Sequence, residues 1–419
     1  MDTRRKLAVL ADAARFDAPC ARRLDAPPAA PATTTDETLA EAARHGICYA
    51  IAADGRRVAL LKVLLTNHCI HDCGYCVNRR SADVERARFT VTELVRLTLD
   101  LYRQGVIEGL FLSSGVMRSA DFTMEQLTDV ARTLRRDHRF PGYIHLKAIP
   151  EASPELITEA GKWVDRISVN VELPTQRHLD ALAPGRRLVT ITRAMERIRD
   201  GIAEAHEAQR RHVRAPSFAP AGQVTQMVVG ANDATDAEIL SASAVLYERQ
   251  RLRRVYYGTY VPIPDAGSAL PEAPPPLVRE HRLYQADWLM RDYGFSVDEL
   301  VPDDMPNLAL DVDPKLAWAL RHRELFPLDL NRASRPELLR VPGLGPRTVE
   351  RILAMRRWRR VRTSDLLAMR GPVSRALPFV VTADANPALR ALDRTELREQ
   401  IVQPKRWRWT QLEMFPATG

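Results

Sequence analysis

The sequence predicts an α/β fold over most of its length with a smaller helical domain behind it. Three observations carry this. From Val58 onward, β-branched apolar runs alternate with amphipathic stretches of helical period. Helix-length segments separate successive runs, which calls for parallel connections rather than hairpins. After an acidic, Pro-marked turn, "VPDDMPNLALDVDP" at 301–314, the strands stop and the chain turns basic and helical. At 419 residues the chain is also too long for one ordinary core, so about two or three domains are expected.

The elements follow in order. Residues 1–45 hold a short helical pattern, a Pro/Ala/Thr connector "APPAAPATTTD", and Thr35 or Asp36 as a cap for a helix near 37–44. Six strands are expected at 58–66, 108–114, 142–149, 165–173, 222–230 and 253–262. Helices are expected near 92–104, 123–137, 153–163, 187–212 and 236–252, several behind a Thr, Ser or Asp cap, with a further one near 277–293. Six β/α units make an open or partial β/α barrel, or else a doubly wound sheet. In either, the active site lies at the C-terminal ends of the strands.

Composition excludes several classes. Five cysteines is an odd number, and no basic start followed by an apolar stretch and a small-residue cleavage site opens the chain. A disulfide-stapled secreted protein is not expected. The longest apolar runs, such as "VALLKVLL", fall short of the roughly 20 residues that cross a bilayer. The reading is a soluble, cytoplasmic protein without a membrane partner. The net charge is +8, yet residues 321–380 alone carry 14 Arg and 5 Asp/Glu, or 14 − 5 = +9, leaving 8 − 9 = −1 for everything else. Arg is common throughout the chain, so the concentration of positive sign is the informative part, and it points to a polyanion partner for that segment.

Three of the five cysteines fall in "LLTNHCIHDCGYCVNRRS", at 69, 73 and 76, immediately behind the first strand and so on the catalytic face. Three thiolates on one tight loop suit iron–sulfur or zinc chemistry. Zinc has His68 or His71 at hand as a fourth ligand. Buried free cysteines are the plainer alternative. Cys20 and Cys48 lack such spacing and read as structural.

The run Cys69-Ile70-His71-Asp72-Cys73-Gly74-Tyr75-Cys76, with an aromatic before the last cysteine and a β/α repeat behind it, resembles the signature of the radical S-adenosylmethionine (SAM) enzymes. The resemblance implies a partial (β/α)6 TIM-like barrel and a [4Fe-4S] cluster held by Cys69, Cys73 and Cys76. It further implies a fourth iron, without a protein ligand, that takes the amino and carboxylate groups of SAM. An electron then cleaves SAM to a 5′-deoxyadenosyl radical that abstracts hydrogen from substrate. Tyr75, by the same resemblance, lies beside the adenine.

Further candidates sit at later strand ends. Where these enzymes carry a Gly-Gly-Glu-like turn after the second strand, this chain has Ser113-Ser114-Gly115-Val116, which lacks the acidic residue. Ser168, Asn170 and Glu172 alternate along "SVNVE" and so share one face of a strand there. They are candidates for SAM ribose and amino contacts, or for a hydrogen-bonded barrel interior. His145 and Lys147 share a face of the third strand and either meet SAM or substrate or satisfy each other. Gln226, Gly230, Tyr256, Tyr257 and Tyr260 carry weaker signals.

Beyond the turn, "LDLNRASRPELLRVPGLGPRTVERILAMRR" (328–357) reads as helix, tight turn, helix: Ser334 caps the first, Pro342-Gly343-Leu344-Gly345 reverses the chain, and Thr348, Val349, Ile352 and Leu353 continue the second. The stretch resembles a helix-hairpin-helix motif of the non-sequence-specific DNA-binding kind. Gly343 and Gly345 allow the backbone to approach a phosphate, and the N–H groups of Arg347 and Thr348 at the second helix's start point at it. Arg347, Arg356, Arg357, Arg359 and Arg360 offer side-chain contacts. A degraded copy, "TSDLLAMRGPVSRAL", follows at 363–377, and the tail "PKRWRWTQLEMF" interleaves Trp407 and Trp409 with Arg and Lys.

Together the two halves resemble the putative DNA modification or repair radical SAM proteins, a family associated by description with a uracil-DNA-glycosylase-like partner. The implied organisation is an N-terminal extension (1–50), a barrel (51–300), a hairpin domain (301–385) and a basic aromatic tail (386–419). Its implied partners are the DNA backbone and an electron donor such as flavodoxin or ferredoxin. The rival readings are a radical SAM enzyme acting on RNA or protein, and a non-catalytic iron–sulfur protein that binds DNA or senses redox state.

Overall fold

The apolar runs of the first part of the chain become the strands of one curled, seven-stranded half-barrel. The structure, a computed structural model, describes residues 1–14, 46–51, 57–212, 215–263, 269–369 and 371–402. The expected helix at 37–44, Cys20 and the Trp407/Trp409 tail lie outside the described residues. The chain separates into two compact units, Met1–Glu280 and His281–Gly419.

In the first unit the sheet runs in sequence order: β1 (Ile47–Ile51), β2 (Arg57–Leu64), β3 (Gly109–Ser113), β4 (Tyr143–Lys147), β5 (Arg166–Ser168), β6 (Gln223–Val229) and β7 (Arg254–Thr259). Strands β2 to β7 are parallel, and β1 pairs antiparallel with β2. The crossovers are α2 (Val91–Arg103), α3 (Ala120–Arg132), α4 (Pro154–Gly161), the pair α5 (Gln176–Leu182) and α6 (Leu188–Arg211), and α7 (Asp236–Gln250). An N-terminal helix, α1 (Thr3–Ala14), buries Leu7, Leu10 and Ala14, and Lys6 donates to Glu93 of α2 at 2.7 Å.

Local chemistry explains the helix ends. Thr90 opens α2 with a full capping box to Glu93, and Thr235 does the same with Glu238 for α7, each such cap worth about 1 kcal/mol. The fully buried face of α2, Leu94, Leu97 and Leu101, faces the sheet, and each leucine so buried contributes roughly 1.5–3 kcal/mol.

Two expectations about strands need correction. The five-residue β1 was not anticipated; it covers an edge of the sheet, and Cys48 packs there with Val58, Leu60 and Phe111. The strand expected over 165–173 ends at Ser168. Beyond it the Val171 amide donates to the Thr225 hydroxyl at 3.0 Å rather than to a ladder carbonyl, and Glu172 takes a positive φ of 65°. The chain rejoins β6 only as an isolated bridge, Glu172 to Met227. Alternating polarity alone cannot distinguish a continuous strand from one that bulges at its end.

The second unit is helical apart from one two-residue parallel pair, β8 (Leu328–Asp329) with β9 (Val380–Val381). Its helices after α8 (Leu277–Tyr293) are α9 (Val297–Leu300), α10 (Pro314–Arg321), α11 (Arg335–Arg340), α12 (Pro346–Met355), α13 (Thr363–Leu367) and α14 (Leu397–Val402). Phe295, Trp318, Phe326 and Phe379 meet edge to face in its core. The α11–α12 turn packs against the turn after α13. Gly343 has φ +80°, and a Cβ there would lie 2.6 Å from the Pro372 carbonyl oxygen, so no other residue fits.

Beneath that turn lies a buried lysine. Lys315 donates to the Leu344 carbonyl at 2.5 Å and sits 4.7 Å from the Tyr293 ring centre. Burial lowers its pKa to about 7, against the favourable pull of Asp313. Between about pH 7 and the ordinary lysine range, the unfolded chain therefore holds a proton that the folded one lacks, and stability rises with pH across that window. The slope approaches 1.4 kcal/mol per pH unit at most. Denaturant midpoints measured from pH 6 to 10 should show this rise in the wild type and not in Lys315→Met; parallel profiles would exclude it.

Candidate cluster-binding site

The cysteine loop leaves β2 and has little regular structure, so its shape depends on side chains that hold its backbone. Arg86 is the principal one. Its guanidinium donates to the carbonyls of Asn67 (2.5 Å) and Asn78 (3.0 Å) through Nη1, and to those of Arg79 (2.7 Å) and Ala82 (2.9 Å) through Nη2. Asn67 adds bonds to the Glu85 carbonyl and the Ala87 amide. Asp72 accepts from both the amide and hydroxyl of Ser81. The loop is thus closed at its root and stapled across its middle. The cysteine spacing gives no hint of Arg86, because its partners are all backbone atoms.

Neighbouring strand ends complete the support. The Ile70 amide donates to the Val116 carbonyl, and the Gly115 amide to the Thr66 carbonyl. A Cβ on Gly115 would lie 2.5 Å from the His68 carbonyl oxygen. The Ser113–Gly115 turn therefore buttresses the loop: Ser113 is buried, and the Ser114 hydroxyl turns back to the Gly115 carbonyl at 2.7 Å. From the other side, the Gly74 amide donates to the Leu182 carbonyl at 2.7 Å.

Cys69, Cys73 and Cys76 are free and partly buried. Burial raises the Cys73 thiol and pushes Cys76 up to about 12. The charge of Cys69 adds to the rise at Cys73, and those of Cys73 and Cys69 to the rise at Cys76, so the three stand close together. A single zinc ion needs its donors about 2.0–2.3 Å from one point. Among the described residues no three His, Cys, Asp or Glu side chains converge that way, and neither His68 nor His71 completes such a set. A cluster takes one thiolate on each of three irons, a demand that Cys69, Cys73 and Cys76 can meet.

Facing the loop is a wall of paired charges that the sequence divides among four segments. Lys147, at the end of β4, lies 3.7 Å from Glu172, and Arg186, between α5 and α6, lies 3.5 Å from Glu151. Both Glu151 carboxylate oxygens are buried without a hydrogen-bond donor. Burial pulls the Arg186 pKa down, but Glu151, Glu172, Tyr75 and Cys73 together outweigh it and raise it. Tyr75 is held protonated by burial, with Glu172 next in effect. Glu151 and Arg186 were missed because neither lies in a recognisable pattern.

The remaining expected residues come together differently from the strand-face picture. Ser168 meets His145 at 3.1 Å, and Asn170 donates to Gln226 at 3.3 Å. His145 and Lys147 do not satisfy each other; each has a partner on the β5 segment. Burial, with Arg166 and Lys62 adding to it, keeps His145 neutral. Tyr257 is buried and its hydroxyl donates to Ser243, so it is a packing residue. Tyr260 is buried at the end of β7 and senses Arg79 beside the loop.

In the second unit, three of the expected nucleic-acid contacts are otherwise engaged. Arg356 donates to the Ala333 carbonyl at 2.6 Å and the Leu330 carbonyl at 3.4 Å. The Thr348 side chain is buried, which leaves only its amide at the start of α12. Gly345 caps that helix without a side-chain bond. Arg359 is paired with Asp365. Arg347, Arg351, Arg357 and Arg360 remain exposed.

Residues 63–211 match the family model described as the radical SAM superfamily. That stretch is a radical SAM domain, the enzyme domain that works with a [4Fe-4S] cluster and SAM. No curated protein matches the chain. Among solved structures it is similar to HydG, a maturase of the [FeFe]-hydrogenase, at 15% identity over 54% of this chain and 48% of that one, with a TM-score of 0.40. It is similar to methylornithine synthase (PylB) at 12% identity, 66% of each chain and 0.38. Coproporphyrinogen III oxidase (HemN) from Escherichia coli gives 13% identity over 53% of this chain and 50% of that one, at 0.33. The chain thus spans about half the length of the HydG and HemN chains. No helix among the described residues is long and apolar enough to cross a membrane.

The Arg86 staple yields a direct expectation. Lysine keeps the charge but not the two-pronged fork, so Arg86→Lys should lose most of its iron and sulfide on gel filtration after reconstitution, with far-UV circular dichroism unchanged. Full cluster retention would show that the loop holds without the staple.

Proposed function

We propose that the protein joins its radical SAM domain to a DNA-binding C-terminal unit and modifies or repairs DNA. The observation that carries this reading is the set of exposed arginines on and after α12, in a chain whose other unit carries the cysteine loop. When bound at Cys69, Cys73 and Cys76, the cluster with SAM supplies a carbon-centred radical that abstracts a hydrogen atom.

The chain's own residues hold SAM in register with it. An amino acid moiety carries both charges, and the wall opposite the loop offers both: Lys147 and Arg186 for a carboxylate, Glu172 and Glu151 for an ammonium. Glu172 and Glu151 supply the acidic contact that the Ser113-Ser114-Gly115 turn lacks. Ser168 and Asn170, buried beside His145 and Gln226, offer hydrogen bonds to a ribose, and Tyr75 lines the loop side. Burial of these groups excludes water, which protects a reactive intermediate from side reactions.

On the DNA side, the N–H groups at the start of α12 donate to a phosphate at the positive end of the helix dipole. Arg347, Arg351 and Arg357 neutralise its neighbours, which gives binding without sequence preference. Gly343 shapes the turn, while Gly345 leaves the helix start open. An electron donor of the flavodoxin or ferredoxin kind reduces the cluster, and a uracil-DNA-glycosylase-like protein is the partner that the family resemblance adds.

The test is anaerobic. Reconstituted, dithionite-reduced protein should form 5′-deoxyadenosine from SAM, and DNA should increase the yield where RNA does not. Arg347→Ala with Arg351→Ala should remove that stimulation, keep basal cleavage, and lower the slope of log Kd against log salt by about 2. Stimulation by RNA alone would move the substrate class. A cluster that forms yet leaves SAM intact under all conditions would sink the catalytic reading.

A further inference from the structure

Trp358 is the most exposed large apolar side chain among the described residues, at 91%. An indole so open forgoes most of the stabilisation that burial offers it. Nor does it sit on a loose end. Its amide donates to the Met355 carbonyl at 3.0 Å, and the Arg359 amide to the same carbonyl at 3.1 Å. On either side, Arg356 is tied to the Leu330 and Ala333 carbonyls, and Arg359 to both carboxylate oxygens of Asp365. The backbone is fixed while the ring projects.

Exposed arginines precede it on α12. The turn after α12 keeps helix-like bonds, Arg356 amide to Ile352 carbonyl and Trp358 amide to Met355 carbonyl. At about 100° per residue, the four steps from Arg347 to Arg351 leave the two about 40° apart on one face of α12. Arg347 and Arg351 therefore share the face opposite the one that buries Thr348, Val349 and Ile352, and Trp358 follows three residues past the end of that helix. Arg357 and Arg360 neighbour Trp358 in sequence, and Arg347, Arg351, Arg357 and Arg360 are all exposed, without an ion pair or side-chain hydrogen bond among the described residues. Exposed cations on a helix that leads to a rigid exposed indole match a nucleic-acid strand, whose phosphates meet the cations and whose base has a π face to stack.

We propose that Trp358 is a stacking platform for an unpaired base, so that the C-terminal unit prefers DNA containing an unstacked nucleotide over intact duplex. The proposal rests on the DNA reading above and specifies the state of DNA recognised. It also suits hydrogen abstraction from a nucleotide, which requires the target to be out of the stack.

The experiment compares full-length wild type, Trp358→Ala and Trp358→Phe by fluorescence anisotropy on a short single strand, an intact duplex and a duplex with one unpaired nucleotide. Trp358→Ala should weaken binding to the single strand and the interrupted duplex by about 5- to 150-fold, the range for loss of one base–aromatic stack. Affinity for the intact duplex should not change, and Trp358→Phe should keep most of the preference. Equal weakening on all three DNAs, or none on any, overturns the platform while wild-type duplex binding leaves the DNA reading standing. Failure of the wild type to bind any of the three overturns the DNA reading itself, and retention of a protein partner dependent on Trp358 would then assign the indole to protein docking.

Discussion

The site depends on one guanidinium. A loop that presents three thiols cannot be a helix or strand, because neither would place residues 69, 73 and 76 around one centre, and irregular backbone leaves carbonyls in need of donors. Arg86 supplies four of those donors from a single rigid fork. The charge makes each bond stronger than a neutral one, and the fork fixes the relative positions of Asn67, Asn78, Arg79 and Ala82. Everything the loop does, from the spacing of the thiols to the placement of Tyr75, inherits that geometry.

The wall opposite the loop obeys a different constraint. Buried charge is costly unless paired, and an ion pair at 3.5–3.7 Å with unsatisfied carboxylate oxygens is only partly compensated. In the proposed reading a zwitterion completes the set of Lys147, Glu172, Glu151 and Arg186. Glu172 joins the set just past the end of β5, where its φ is positive.

The second unit turns its stabilising groups inward. Its turns are held from within, by Lys315 under Leu344 and by Gly343 against Pro372, and α12 buries Val349 and Ile352. The outward face then carries arginines and an indole with no structural duty. Arg356 shows how the two roles divide: adjacent in sequence to exposed Arg357, it is bound to two carbonyls and belongs to the fold.

The sequence by itself determined the alternation of strand and helix, the six parallel strands, the cysteine loop behind the first of them and the helix–turn–helix with its glycines. Those features are local: period, cap residues, turn residues and spacing are all written within a few positions. What only the tertiary structure decided is which polar groups meet. Glu151 and Lys147 at the end of β4, Glu172 past the end of β5 and Arg186 between α5 and α6 converge, Arg86 finds carbonyls rather than a patterned partner, and Asn170 leaves a strand that stops early at Ser168. The strand β1 and the burial of Thr348 belong to the same class, because pairing across a sheet and packing inside a unit are set by distant chain segments whose approach no local pattern encodes.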